Sequence, residues 1–316
     1  MKQYIEQITR PSIPTGILML VGCLVLWLPD FMTLHSPILW GNVSMPHRGV
    51  SLLCLLLTIA NGVGLSSLLF YLYVTRTRSI FSIVIYFLTI SCFPALHTNV
   101  QAQLCVFLYM LVVGCLMGMY KDTKAVLPAY NLGLLFPFLV MLHPMFLFLL
   151  PFLWGAMIII RAFSLRTLGA SVFGVLTTYV LVLWVCHFRG EAGWTPWNGI
   201  HFSWVDSPWG LWLWLLWCLF AMVVTLLQYA RILSYSIKNR MIMNAMSLLV
   251  FITFVLSLLS TLAPACLVCS IATWLLFVVQ WFQADNPSRF AWVYMLLYIV
   301  LVLGIYTSSV LGYGMA

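Results

Sequence analysis

The sequence predicts an all-α, polytopic transmembrane helical bundle, and three observations support this fold class. Hydrophobic residues make up 64% of the 316 residues and charged residues only 6%, and the mean hydropathy is +1.09. Because soluble domains carry roughly 25% charged residues, this composition excludes a soluble enzyme, a disordered chain and a basic nucleic-acid-binding domain. The apolar residues form continuous runs rather than alternating patterns, which favours helices over a transmembrane β-barrel.

About eleven spans fit the chain at roughly 20 residues for each crossing. Charged residues and helix breakers mark where the spans end. No small-residue cleavage site follows the first apolar stretch, so we expect it to remain as a span. Residues 1–316 are therefore predicted to form a single integral membrane domain. The predicted spans are 15–29, 50–74, 79–96, 102–120, 125–142, 145–160, 168–187, 209–230, 244–262, 265–283 and 290–308.

Two pairs of predicted helices form tight hairpins. The pair 125–142 and 145–160 turns at His143-Pro144, and the pair 244–262 and 265–283 turns at Ala263-Pro264. Proline lacks a backbone N–H and disfavours helical backbone in the residue before it. Each of these dipeptides therefore predicts the end of one helix and the start of the next.

Lysine and arginine are concentrated in every second predicted loop. This is the pattern of a membrane protein whose cytoplasmic loops carry an excess of basic residues. With the N-terminus in the cytoplasm, twelve of the 14 basic residues lie inside, and only Arg48 and Arg189 lie outside. The C-terminus is then expected outside. The net charge of +8 thus reflects topology and contact with anionic lipids, not nucleic acid. The inner basic residues are Lys2, Arg10, Arg76, Arg78, Lys121, Lys124, Arg161, Arg166, Arg231, Lys238, Arg240 and Arg289.

Polar residues concentrate on the predicted outer face, which holds the two longest loops, 30–49 and 188–208. All six histidines lie at or near this side. Long loops collect polar residues and tryptophan favours membrane interfaces, so any single residue has an ordinary explanation, yet the inner loops contain no histidine. The outer residues are His35, His47, His97, His143, His187, His201, Asp30, Glu191, Asp206, Trp40, Trp194, Trp197 and Trp204.

Asp30 is the candidate catalytic residue. It follows Pro29 at the outer end of the first predicted span, at the depth of a lipid phosphate. A partly buried carboxylate there suits a general base, and the alternative is that Asp30 caps a short helix. Arginine binds phosphate bidentately, and tryptophan can stack on sugar rings. The candidate substrate-binding residues are Arg48, Arg189, Glu191, Trp194, Trp197, His201, Trp204 and Asp206.

No metal or cofactor is predicted, because the histidines lack metal-ligand spacing such as HxxxH or HExxH. Cys266 and Cys269 form a CxxC pair, which is either a redox pair or apolar packing. No Asp, Glu, Lys or Arg lies near the middle of a predicted span. This absence disfavours a proton-coupled transporter.

Small and amide residues inside the predicted spans allow two interpretations. Asn61 with Gly62 and Gly64, and likewise Asn131 with Gly133, either break the helix or allow close helix packing. Gly114 and Gly118 form a GxxxG pattern, which is typical of packing.

The block from about Arg76 to Phe188 contains RTRSIFSIVIYFLTISCFPALHTN and LPAYNLGLLFPFLVMLHPMFLFLLPFLWGAMIIIRAFSLRTLGASVFGVLTTYVL. It resembles an uncharacterised family of multi-pass inner-membrane proteins from Bacteroidetes. The shared pattern is the His143-Pro144 turn, the run from Leu150 to Trp154, and the basic turn from Arg161 to Arg166. The resemblance implies a bacterial inner (cytoplasmic) membrane location and assigns no activity.

A looser resemblance is to the GT-C glycosyltransferases, which take sugars from polyprenyl-phosphate donors at the outer face. Those enzymes have a first helix that starts inside and an acidic residue in the first outer loop, the place that Asp30 occupies here. This chain departs from them in its short first outer loop and in lacking an adjacent pair of acidic residues. The resemblance implies a polyprenyl-phosphate-linked substrate.

Three functions are therefore expected as alternatives, all in envelope biogenesis. The first is a GT-C-like glycosyltransferase that uses Asp30 as its base. The second is a non-catalytic membrane subunit of an envelope complex, with membrane-protein partners. The third is a lipid flippase or transporter, with a groove lined by Asn61, Asn131 and the glycines. Membrane lipids are expected partners in each case.

Overall fold

A computed structural model of the chain describes residues 21, 24–28, 31–32, 38–40, 43–71, 80–93, 96–188, 222–223, 226, 237–258, 266, 268–275, 300, 304 and 306–307. The regular structure of this part is helical, as predicted, apart from one hairpin. The hairpin pairs β1 (Ile38–Trp40) antiparallel with β2 (Val43–Met45), inside the predicted outer loop 30–49. Three-residue strands are too short for an alternating pattern to identify in the sequence.

The helices with described bounds follow the predicted spans closely. Helix α2 is the exception at its C-terminal end: the predicted span ran to residue 96, whereas the helix ends at Ser91, because helices usually end at or before the residue that precedes a proline, here Pro94. The last helix begins at Ile237 rather than at 244, because long basic side chains in its first turn can reach the membrane surface without ending the helix. The helices are α1 (His47–Tyr71), α2 (Ile80–Ser91), α3 (Val100–Gly118), α4 (Val126–Leu142), α5 (Leu150–Ile159), α6 (Leu165–Phe188) and α7 (Ile237–Leu258), with a 3-10 helix at Pro144–Leu149 before α5.

Four of the described helices are long and apolar enough to cross a membrane, namely α1, α3, α6 and α7. The 25 residues of α1 extend about 37 Å, against a hydrocarbon thickness of about 30 Å. Helices α2, α4 and α5 are apolar but shorter. Half or more of each of the predicted spans 15–29, 209–230, 265–283 and 290–308 lies outside the described residues.

The chain divides into two compact units. Unit 1 comprises Met1–Gln103, Trp212–Val224 and Leu275–Ala316, and unit 2 comprises Leu104–Leu211 and Thr225–Trp274. In unit 1, α1 packs against α2 through Gly62, where an added Cβ would lie 3.3 Å from Ile83 Cγ2. Helix α1 is continuous through Asn61 and Gly62, so these residues serve close packing rather than a break.

In unit 2, α4 and α6 are in backbone contact. A Cβ added to Gly133 would collide with the backbone of Ser171, and one added to Gly174 would collide with the backbone of Tyr130. The Thr178 hydroxyl donates to the Leu134 carbonyl at 2.8 Å and links the two helices directly. Small residues at such crossings are the usual means of association between helices in membranes.

The predicted turn at His143-Pro144 is confirmed. Helix α4 ends at Leu142, and His143 is extended, with φ −149° and ψ 110°. Pro144 then occupies the first turn of the 3-10 helix, and Pro151 the first turn of α5. Proline is tolerated at these positions because the N–H that it lacks has no partner in the first turn of a helix.

Candidate functional site

Arg48 is the one predicted site residue that falls within the described residues. It lies exposed in the first turn of α1, directly after the β-hairpin. Whether it meets the other predicted site residues stays a prediction, because those residues lie outside the described part of the chain. They are Asp30, Arg189, Glu191, Trp194, Trp197, His201, Trp204 and Asp206.

A buried polar cluster in the described part of unit 1 includes a residue close to Asp30 in sequence. Trp27, three residues before Asp30, is fully buried, and its indole Nε1 donates to Ser91 Oγ at 2.9 Å. The Trp27 ring stacks on His97, with ring centroids 3.9 Å apart and an interplanar angle of 16°. Because His97 is also fully buried, Trp27 is held in place by both a hydrogen bond and an aromatic stack.

The hydrogen bonds of this cluster fix positions and do not activate a nucleophile. Ser91 Oγ accepts from Trp27 and donates to the Phe87 carbonyl at 2.7 Å. His97 Nε2 donates to the Ser91 carbonyl oxygen at 3.0 Å, not to the hydroxyl. A serine nucleophile needs a base that takes its hydroxyl proton, whereas here the proton is committed to a backbone carbonyl. The Trp27, Ser91 and His97 side chains therefore form an anchor.

A second buried polar contact in unit 1 joins α1 to the start of α3. Asn61 Nδ2 donates to the backbone carbonyl of Gln103 at 2.9 Å and to its side-chain Oε1 at 3.2 Å. Both side chains are almost fully buried. Among the described residues, Asn61 Oδ1 and Gln103 Nε2 have no hydrogen-bond partner. Since a polar group in an apolar interior is costly unless bonded, the contact holds the two helices in one register.

The predicted small-residue sites differ in their surroundings. Asn61 and Gly62 are packed, as described above, and so is Gly133. Asn131 is exposed on α4. Gly118, from the GxxxG pattern, is exposed, and a Cβ added to it would meet nothing within 4 Å.

The described histidines and cysteines do not form a metal centre. Within the described ranges, no three His, Cys, Asp or Glu side chains come together in a metal-binding group. Of the histidines, His97 is buried, His47 and His143 are half-buried and His187 is exposed, while His35 and His201 lie outside the described residues. Cys266 and Cys269 are free thiols, both fully buried, which fits apolar packing better than exchange with an external thiol.

Three participants in these contacts were not among the predicted site residues, namely Trp27, Ser91 and Gln103. Ser91 and Gln103 are isolated polar residues in apolar runs. A buried polar side chain in a membrane helix needs a partner. That rule identifies both residues as contact sites but does not say which residue each one meets.

The chain has no match among protein-family models, curated proteins or solved structures. Its class therefore rests on its own fold, which in the described part of the chain is helical and includes four helices able to cross a membrane. By length and composition, the chain is a membrane protein.

Proposed function

We propose that the chain is a multi-pass protein of the bacterial inner membrane and a non-catalytic membrane subunit of an envelope complex. The proposal includes about eleven spans, an inner N-terminus and an outer C-terminus. The observation that carries it is the backbone contact between α4 and α6 at Gly133 and Gly174. Such a crossing leaves no room for a substrate between the two helices and suits a rigid support.

The contacts within each of the two units favour this role over that of a flippase. A flippase would need polar side chains that face an open groove. Asn61 is instead engaged with Gln103, and Gly62 packs on Ile83 and Tyr86. Asn131 is exposed, but its helix neighbour Gly133 is closed against α6. Polar groups used in this way stabilise helix association.

The proposal is tested by the composition of the native particle. The tagged chain is extracted from its own membranes in mild detergent, and the protein mass of the particle is measured by light scattering. We expect a mass well above the 35.9 kDa of one chain and a second polypeptide in fixed stoichiometry. Gly169→Ala serves as the control that keeps the complex, because a Cβ added to Gly169 would meet nothing within 4 Å. A particle that contains one chain alone would contradict the proposal.

The second candidate function is a GT-C-like glycosyltransferase that uses a polyprenyl-phosphate-linked sugar. The observation that favours it is the rigid anchoring of Trp27, three residues before Asp30, by Ser91 and His97. A catalytic carboxylate must be held in place, and this anchor restrains the segment just before it. Arg48, exposed at the start of α1, would supply a phosphate ligand.

Asp30→Asn separates the two candidates. If Asp30 is a general base, the amide abolishes transfer, with a loss of at least about 100-fold, since general-base catalysis contributes roughly that factor or more. The measurement is the envelope glycan profile of cells that carry only the variant, with the amount of folded protein as control. Unchanged glycans at equal protein level would leave the subunit role as the function.

A further inference from the structure

In unit 2, the turn between α3 and α4 is hydrogen-bonded to the turn between α5 and α6. The backbone N–H of Lys121 donates to the Ile160 carbonyl at 3.1 Å, and the Ser164 hydroxyl donates to the Thr123 carbonyl at 2.8 Å. Lys121 therefore lies close to Arg161, the residue after Ile160. Lys121 and Arg161 each adopt φ 59°, a left-handed conformation that is uncommon for residues other than glycine.

The first residues of α7 reach the same place. Lys238 Nζ lies 5.9 Å from the centroid of the Tyr120 ring, and Lys121 Nζ lies 5.6 Å from it. Both distances are within the range of cation–π attraction. We call the resulting group the basic end. It consists of Lys121, Lys124, Arg161, Arg166 and Lys238.

The positive charge of the basic end is poorly balanced by acidic residues. Between residues 31 and 190 the sequence contains one acidic residue, Asp122, and between 207 and 284 it contains none. One oxygen of that carboxylate accepts the backbone N–H of Lys124 at 2.8 Å. Among the residues that the structure describes, these five cations lie beside a single carboxylate, an arrangement that creates a positive potential and attracts anions.

Exposed apolar side chains alternate with these cations along the chain. Leu165, beside Arg166, is 86% exposed, Leu127 is 69% exposed, and Phe163 is 41% exposed. The α6 surface that continues from this end is apolar and exposed, with Phe173 at 69%. An acidic soluble protein or a nucleic acid would leave these apolar side chains in water. A membrane surface accommodates both kinds of residue, because its phosphates lie directly above its acyl chains.

We propose that the basic end is a binding site for the headgroup of an anionic phospholipid. Its lysines and arginines bind the lipid phosphate, and Phe163 and Leu165 enter the boundary between headgroups and acyl chains. The site goes beyond the proposed subunit role and requires only that the chain is embedded in a membrane. Its failure would leave the composition of the native particle unaffected.

Glycine substitution at Lys121 and Arg161 tests the site without straining the fold, because glycine adopts φ near 60° at no steric cost. The full-length protein in mixed detergent micelles is titrated with phosphatidylglycerol that carries a fluorescent acyl chain, and binding is followed by anisotropy. Each cation near an anionic surface contributes roughly a five-fold factor, so Lys121→Gly with Arg161→Gly should weaken binding about 25-fold. Arg161→Gly alone should weaken it about five-fold.

The matched control is His187→Gln, which changes an exposed polar side chain in the last turn of α6, at the opposite end of that helix from Arg166, and should leave the affinity unchanged. If the glycine variant does not fold, Lys124→Gln with Arg166→Gln changes two exposed side chains of the same site and should give a loss of similar size. Phosphatidylcholine with the same labelled chain should bind much more weakly. Equal affinity for the two lipids, unchanged affinity in both double variants, or full displacement of the lipid by millimolar inorganic phosphate would each overturn the proposal.

Discussion

Replacing Gly174 or Gly133 by alanine is expected to destabilise the protein by about 3 kcal/mol or more, the upper range for overpacking a closely packed interior. In each case the added methyl group would collide with the backbone of the partner helix, at Tyr130 or at Ser171. A backbone cannot rotate out of the way as a flexible side chain can. Helices α4 and α6 would have to separate, and the hydrogen bond from Thr178 to the Leu134 carbonyl would lengthen or break.

The measurement is thermal unfolding of the purified protein in detergent. Gly169→Ala is the matched control, because Gly169 lies in the same helix and an added Cβ there meets nothing within 4 Å. Alanine is the better helix former by about 1 kcal/mol, so this variant should unfold at the same temperature as the wild type or higher. Equal unfolding temperatures for Gly174→Ala and Gly169→Ala would show that the two helices do not depend on this contact.

These glycines also show how far the sequence could predict the structure. Helix positions followed from apolar runs and prolines, as at His143-Pro144, because those features act within a few residues of chain. The GxxxG pattern at Gly114 and Gly118 was local too, yet Gly118 is exposed. Gly133 and Gly174 lie far apart in sequence. Their pairing depends on how α4 and α6 cross, which no local pattern contains.

The candidate site, too, could be predicted from the sequence only in part. Sequence reasoning placed Arg48 near the start of a span, where the structure has it exposed at the start of α1. It did not find the contact of Trp27 with Ser91 and His97, because 64 residues separate the bonded pair. An aromatic residue in an apolar run could equally be exposed on the surface of its helix, as Trp184 is at 60%. The surroundings that distinguish the two tryptophans come from tertiary packing alone.

Trp27→Leu is expected to cost about 3 kcal/mol, as is usual when a buried aromatic side chain is truncated. The substitution removes the stack on His97 and the hydrogen bond to Ser91. Trp184→Leu is the matched control. Since Trp184 is mostly exposed, its substitution should change stability by less than about 0.5 kcal/mol. Both variants are compared by thermal unfolding in the same detergent.

Two further variants separate the contribution of the hydrogen bond between Trp27 and Ser91 from that of the aromatic stack on His97. Ser91→Ala leaves the buried indole N–H of Trp27 without its acceptor and should cost about 1–3 kcal/mol. Trp27→Phe keeps an aromatic ring against His97 but removes the donor. Either substitution alone already removes the hydrogen bond between Trp27 and Ser91, so the second substitution has no such bond left to remove. The double variant should therefore cost less than the sum of the two single variants. Strict additivity would mean that the bond contributes nothing.

The same variants connect the anchor to Asp30. If the anchor positions a catalytic carboxylate, Trp27→Phe should lower glycan transfer more than it lowers the amount of folded protein, because the restraint lies three residues from Asp30. If the chain is a subunit without catalysis, Trp27→Phe and Ser91→Ala should lower the amount of native complex only in proportion to their loss of stability. The relation between activity and stability across these variants thus distinguishes a positioning role from a purely structural one.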